Sequence, residues 1–316
     1  MSTSLPITRR IVIGAGQHVE LVQQLRALRP DLEIRGSAYT DVTADDFAWG
    51  DTYIGFKRPP LHSMGNIRWV HCTGAGVDAW LYPDELSRDI LLTRTSESFG
   101  TYIAEWALAR ALAITQQIVD LADCQRRAEW KPREIGYVRG SRAVIVGTGE
   151  IGTKIARLFA ALGCEVHGVS RSGGGDPRVF VTTSPVSELR ERVADANWLI
   201  VTLPLTTASR GLISRDVMRA CRGAVLINAG RGAVVDEGAI IDALDAGWLA
   251  GAALDVFEAE PLPASSPLWA DPRVMISPHL SGLTTIRGTI VGFLECLTEI
   301  ERGQVPARVV DRDRQY

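Results

Sequence analysis

Neither sign of charge dominates this chain: 34 Lys and Arg stand against 37 Asp and Glu, a formal net charge of −3 over 316 residues. A balance so near neutral gives nucleic acid and anionic membranes little electrostatic hold. No uncharged apolar run approaches the roughly 18 residues of a membrane span. The start, M-S-T-S-L-P-I-T-R-R, lacks the apolar core of a secretory signal, so the expected location is the cytoplasm. Cysteine is scarce. The five, at 72, 124, 164, 221 and 296, form no C-x-x-C pair, which points to reduced, mostly buried thiols. No His or Cys pair has ligand spacing, so no metal is expected. Internal repeats and low-complexity tracts are missing as well.

What is present is apolar bulk in ordinary measure, 46% hydrophobic against 22% charged, as in soluble globular proteins. The length suggests two domains, each able to bury a core. One stretch organises the rest: Ala143–Gly152, A-V-I-V-G-T-G-E-I-G. Four apolar residues run into Gly147, Gly149 and Gly152, and an amphipathic segment with Ile155, Ala156, Leu158 and Phe159 follows. Strand, glycine turn and helix together read as the opening of a dinucleotide fold. Gly147 permits the tight turn, Gly149 the approach of a pyrophosphate, and Gly152 close packing of helix on strand. The pyrophosphate then meets free amides at the positive end of the helix dipole, with Glu150 and Ile151 in its first turn.

Strand and helix alternate along the whole chain. Strands are predicted at 10–13, 67–71, 164–170, 198–203, 224–228, 250–256 and 274–277. Helices are predicted at 19–28, from Phe99 to about Trp130, at 234–244 and at 284–301. That alternation implies parallel sheets covered by helices on both faces. An early glycine pair, Gly14-Ala15-Gly16, lacks the third glycine and reads as a simple βα turn. After the strand near His71, the small residues Thr73-Gly74-Ala75-Gly76 can gather several amides around an anion such as a carboxylate, or form an ordinary tight turn.

Cofactor choice is read where the second strand of the dinucleotide fold ends. An NAD-preferring fold places an acid about 20 residues beyond the glycines; here Ser170-Arg171-Ser172 stands there. A guanidinium flanked by hydroxyls suits a 2′-phosphate, so NADP (NADPH) is expected, with NAD possible. Three polar residues follow later strand ends, where open α/β sheets place ligands. Arg231 can clamp a carboxylate, His279 can trade a proton near neutral pH, and Glu260 can orient and charge that histidine.

The run Gly140–Gly282 resembles the D-isomer-specific 2-hydroxyacid dehydrogenases. Its matching stretches are G-T-G-E-I-G, L-P-L-T at 203–206, L-I-N-A-G-R-G-A-V-V-D-E at 226–237, A-L-D-V-F-E-A-E-P-L-P at 253–263, S-P-L-W at 266–269 and I-S-P-H-L-S-G at 276–282. The T-G-A-G-V-D loop at 73–78 and the tail V-V-D-R-D-R-Q-Y also match. V-S-R-S and the E-W-K-P stretch at 129–132 look most like the glyoxylate/hydroxypyruvate reductases.

The resemblance implies two doubly wound parallel-sheet domains, a Rossmann-type NADP-binding domain (99–282) inserted into a flavodoxin-like substrate-binding domain (1–98 and 283–316), with a cleft that closes by hinge motion. It implies that Arg231 binds the carboxylate and carbonyl of a 2-oxo acid, that His279 protonates the carbonyl oxygen, and that Glu260 holds His279. Gly74, Ala75 and Gly76 would meet the substrate carboxylate, and Asp255 the nicotinamide carboxamide. Leu203, Pro204, Ala229, Gly230 and Gly282 would line the cofactor. Trp130, in similar reductases, reaches the partner's active site, which implies a homodimer. Ala229-Gly230 before Arg231 is a departure expected to add backbone freedom. A phosphite-type dehydrogenase or a nucleotide-sensing corepressor on the same fold stays open, since both can keep the three polar residues; a formate dehydrogenase would carry an amide at Glu260.

Overall fold

The computed structural model describes residues 5–95 and 99–316. The chain divides into two compact units, residues 1–98 with 284–316, and residues 99–283.

The first unit holds strands β1 (Arg10–Gly14), β2 (Glu33–Ser37), β3 (Thr52–Ile54), β4 (Trp69–Cys72) and β5 (Leu91–Arg94). Helices α1 (His18–Leu28), α2 (Ala44–Trp49) and α3 (Asp78–Leu81) lie between them, and the C-terminal helix Ile286–Glu301 joins the same unit. The sheet order β2-β1-β3-β4-β5, parallel throughout, is the flavodoxin-like winding. Alternate residues of β1 feed opposite faces. Val12 joins Phe47, Tyr53 and Trp80, while Ile11 and Ile13 join Trp69 and Phe293 of the C-terminal helix. Trp69 and Phe293 stack at 4.8 Å. The sequence reading missed β2, β3 and β5. Glu33–Ser37 buries only Ile34, and Thr52–Ile54 is three residues long, so neither carries a periodic signal.

The early glycine turn closes β1 at the point where this sheet reverses its winding. A Cβ at Gly14 would overlap the Tyr53 phenol, whose hydroxyl lies 3.2 Å from the Lys57 carbonyl oxygen. The glycine thus makes room for a buried tyrosine.

His71 in β4 is wholly buried, its Nδ1 2.8 Å from Thr93 Oγ1 and its Nε2 3.0 Å from Thr95 Oγ1. Burial, aided by the positive charge of Arg308, pushes its pKa down to about 3. An unfolded histidine titrates near 6.5, so between these values the unfolded chain binds more protons. Stability from this group is complete above about pH 6.5 and declines as the pH falls toward 3. Urea unfolding followed by tryptophan fluorescence is expected to show a loss of up to about 1.4 kcal/mol per pH unit from it. His71→Gln should flatten that slope; an unchanged slope would rule the histidine out.

The second unit begins with α4 (Phe99–Thr115) and α5 (Ile118–Arg126), followed by β6 (Arg142–Val146), α6 (Glu150–Ala161), β7 (Glu165–Ser170) and β8 (Thr182–Pro185). Strands β9 (Trp198–Val201), β10 (Ala224–Asn228), β11 (Leu249–Leu254) and β12 (Val274–Ile276) complete it. All seven strands are parallel in the order β12-β11-β10-β9-β6-β7-β8, the Rossmann winding with one strand added. Two helix predictions need correction. The helix expected to run from Phe99 to about Trp130 breaks at Gln117, which adopts a left-handed φ of 51°, and ends before Ala128, which adopts one of 53°. Side chains drive the break: Gln116 and Gln117 donate to the carbonyls of Gly136 and Glu134, at 2.9 and 2.7 Å. The helix expected over 234–244 is α-helical only at Ile240–Asp245, because 3-10 turns at Gly232–Val234 and Glu237–Ala239 and a bridge from Val235 to Ile213 occupy the start.

All five cysteines are buried and free of disulfides. Among the described residues no cluster of His, Cys, Asp or Glu is placed to hold a metal ion, and no helix is long and apolar enough to cross a membrane.

Candidate active site

The candidate residues of the second unit follow strand ends in sheet order. Arg171 follows β7, the glycine turn β6, Leu203 β9, Arg231 β10, Asp255 and Glu260 β11, and His279 β12. They span five inter-strand steps of about 4.8 Å. Parallel strands alone thus lay them along one edge.

At the turn after β6 the three glycines do different things. Gly147 has φ 112°, and a Cβ there would sit 2.6 Å from Thr202 Oγ1. Gly152 packs so tightly that a Cβ would overlap the Gly147 carbonyl oxygen. Gly149 precedes α6 and faces open space, with nothing within 4 Å of the Cβ it lacks. A dinucleotide pyrophosphate fits that opening, beside the unbonded first amides of a twelve-residue helix. Glu150 points outward to Lys154, at 2.8 Å, and Ile151 is half-buried.

The segment after β7 exposes Arg171 and Ser172. Ser170 is tied to the loop: its hydroxyl donates to the Gly174 carbonyl at 2.9 Å, and Thr148 Oγ1 donates to the same oxygen at 2.5 Å. Ser170 therefore shapes the turn that presents its two neighbours.

Arg231 is set between two close backbone approaches. A Cβ at Gly230 would lie 2.7 Å from Leu203 O, and one at Gly232 would overlap the Phe257 carbonyl. The expected gain in backbone freedom is thus corrected: neither glycine has a left-handed φ, and both serve contact. Asn228, which the sequence reading did not single out, ties this turn. Its Oδ1 accepts from Gly230 N at 3.1 Å and its Nδ2 donates to Arg231 O at 3.2 Å. Its only sequence signal was its place as the last residue of β10. The Arg231 guanidinium donates to Gly230 O at 2.8 Å.

His279 Nδ1 lies 2.7 Å from Glu260 Oε2, and about a third of each side chain, 36%, remains exposed, which leaves room for a substrate. Glu260 Oε1 accepts from Phe257 N at 3.0 Å. Partial burial pushes the Glu260 carboxyl up. The His279 hydrogen bond, the Phe257 amide and the charges of His279 and Arg231 outweigh it and hold the group below its ordinary value. These three residues therefore share one electrostatic site.

Asp255 directly follows β11. It is wholly buried, and its oxygens accept from the amides of Leu280 at 3.0 Å and Ser281 at 2.8 Å. What it holds is the turn carrying His279. Gly282 packs near Phe99 and Ile103, and Pro204 O accepts from Ser209 Oγ at 2.7 Å. Ala229 is buried.

In the first unit, the amides of Gly74, Ala75 and Gly76 donate to no backbone carbonyl among the described residues. Arg94, also missed by the sequence reading, donates to Ala75 O at 2.7 Å and braces this loop from the end of β5. Trp130 follows α5 and is 94% exposed, beside Glu129, whose carboxylate lies 2.7 Å from Lys131 Nζ.

Comparison with known proteins identifies the family. Residues 108–281 match the model of the D-isomer specific 2-hydroxyacid dehydrogenase NAD binding domain. Glyoxylate/hydroxypyruvate reductase A of Salmonella choleraesuis is 34% identical over 269 residues, covering 82% of this chain and 86% of that protein. A D-isomer specific 2-hydroxyacid dehydrogenase from Xanthobacter autotrophicus Py2, solved with NADPH and MES, has TM-score 0.87 and 30% identity over 98% of this chain and 100% of that one. The NADPH-dependent glyoxylate/hydroxypyruvate reductase of Sinorhizobium meliloti, solved with NADP and sulfate, has TM-score 0.87 and 28% identity with the same coverage. The chain belongs to the D-isomer specific 2-hydroxyacid dehydrogenases, with residues 108–281 matching the family's NAD binding domain.

Proposed function

We propose that this protein reduces a small 2-oxo acid of the glyoxylate/hydroxypyruvate type to the D-2-hydroxy acid with NADPH. The observation that carries the reading is the His279–Glu260 pair at 2.7 Å beside the charge of Arg231. NADPH, when bound, supplies the hydride. Arg231 clamps the substrate carboxylate and draws electron density from the carbonyl. His279 gives its proton to the carbonyl oxygen, and Glu260, held charged, stabilises and aims the imidazolium. In the first unit, the amides at Gly74, Ala75 and Gly76 suit a carboxylate. Residues 99–282 act as the cofactor domain, and 1–98 with 283–316 as the substrate domain. NADPH oxidation against a panel of 2-oxo acids tests this. Phosphite with NADP in the same panel identifies the phosphite-type rival, and silence on every substrate favours a nucleotide-sensing corepressor.

Arg171 carries the cofactor preference. A charge-assisted contact is worth about 1.5–3 kcal/mol, so Arg171→Ala should remove most of a preference for NADPH over NADH. Equal kcat/KM with both cofactors in the unmodified protein would refute this.

The protein acts as a homodimer. Support comes from Trp130 and from α5, whose Ile118, Val119 and Leu121 stand exposed. Light scattering should give about twice the 34.4 kDa chain. Trp130→Ala should change the ranking of small against bulky 2-oxo acids; a lowered Tm with the ranking intact would make Trp130 structural.

A further inference from the structure

The turn that carries His279 is unusual, because His279 is not glycine yet has φ 50°. Such a conformation persists only where the surroundings over-determine it. Here the amide of His279 reaches the Ser277 carbonyl oxygen at 3.1 Å, and the rest of the hold centres on one residue. The amide of His279 donates to the Asp255 carbonyl oxygen at 2.8 Å, that of Leu280 to Oδ1, and that of Ser281 to Oδ2. Three successive amides converge on Asp255.

Asp255 is itself fixed from further away. Trp106 Nε1 lies 3.1 Å from Ser277 Oγ, and Ser277 Oγ lies 2.5 Å from Asp255 Oδ1. An indole N–H only donates, so the serine oxygen accepts from Trp106 and its own proton is turned toward the carboxylate. The chain runs one way, from indole through hydroxyl to carboxylate, and ends on the histidine's turn. Every member is buried: Trp106 is 7% exposed, Ser277 3% and Asp255 0%. Water is poorly placed to replace a lost member, which leaves its neighbour unpaired. Trp106 sits mid-way along α4, and the Arg110 guanidinium lies 5.0 Å from its ring centroid.

We propose that Trp106 is a positioning residue for His279, acting through Ser277 and Asp255 to hold the left-handed turn that aims the imidazole at its partner Glu260. The proposal rests on the reading of His279 as proton donor. It differs from a packing role in one respect: the indole N–H matters, not the ring volume.

The test uses the full chain with Trp106→Phe, which keeps an aromatic ring and removes the donor, with Ser277→Ala, and with Ser277→Thr, which keeps the hydroxyl. Two readouts are taken. One is the pH dependence of reductive kcat/KM with NADPH and glyoxylate. The other is the downfield Nδ1 proton of His279 in one-dimensional NMR of the cofactor-free protein, identified by its loss in His279→Gln. Trp106→Phe and Ser277→Ala are each expected to lower kcat about tenfold, with KM for NADPH changed less than about twofold, and to broaden or move that proton. Ser277→Thr should restore both. If the first two variants keep the resonance and the pH profile while only Tm falls, Trp106 is a core residue and the proposal is overturned. If the unmodified protein turns over no 2-oxo acid, the resonance still decides the positioning, and only the reading of the substrate fails.

Discussion

Glutamine at position 260 is expected to lower reductive kcat/KM and to change the shape of its pH profile. The proposed reduction needs a protonated His279, and the Glu260 carboxylate lies 2.7 Å from its Nδ1. Because Glu260 is held below the ordinary carboxyl range, it stays charged as the pH falls through neutrality, and the unmodified enzyme keeps its rate on the acid side. Glutamine keeps the shape and loses the charge. His279→Ala should cost about 10²–10⁴-fold, the usual contribution of a general acid. Arg231→Ala should lose activity at every pH without shifting either limb. A Glu260→Gln profile that overlays the unmodified one would break the pairing and leave Glu260 a structural residue ahead of Pro261.

A single methyl group at position 232 should be as damaging as losing a catalytic side chain. The Cβ of Gly232→Ala would overlap the Phe257 carbonyl and the Glu258 nitrogen, and both are backbone, with no rotamer to relieve the clash. One side of that contact is the turn carrying Arg231; the other is the segment whose Phe257 amide fixes Glu260. Overpacking costs about 1–3 kcal/mol even where side chains can adjust, so destabilisation at or above that range is expected. A displacement near 1 Å at a reacting group costs about 10²-fold, so kcat/KM should fall by at least that much in the folded protein. Gly238→Ala is the control, since its Cβ would meet only Asp236 Oδ1 at 3.7 Å. Equal rates for the two variants would show that the contact does not set the site.

The parts of this molecule that sequence reveals are those whose cause is local. Ala224–Asn228 is a run of buried apolar residues, and its bounds are read from the sequence as the structure has them. Gly147, Gly149 and Gly152 announce themselves because turn, opening and packing each act within a few residues. Arg231, Glu260 and His279 are visible because parallel strands deliver whatever follows them to one edge. Causes that act at a distance stay hidden. Gly230 looks like a source of freedom until Leu203 is seen against it. Asp255 holds amides of Leu280 and Ser281, more than twenty residues further on, which no local pattern shows. The helix break at Gln117 comes from carbonyls near residue 135, which no helical periodicity contains. Thr182–Pro185, an edge strand, is too polar to alternate.

The way the first unit is assembled also sets an order in time. Its N-terminal strands leave the ribosome first, yet Trp69 finds its stacking partner Phe293 only after more than two hundred further residues have been made. Arg94 and Leu92 wait as long for their backbone partners, Arg308 and Val310. The inserted unit has all its strands in one continuous run and can close before synthesis ends, in the manner of domains that fold as they emerge. A chain stalled or cut shortly before residue 286 should therefore yield a folded, nucleotide-competent middle attached to a beginning whose apolar sheet face lies open, which is the form most prone to aggregate.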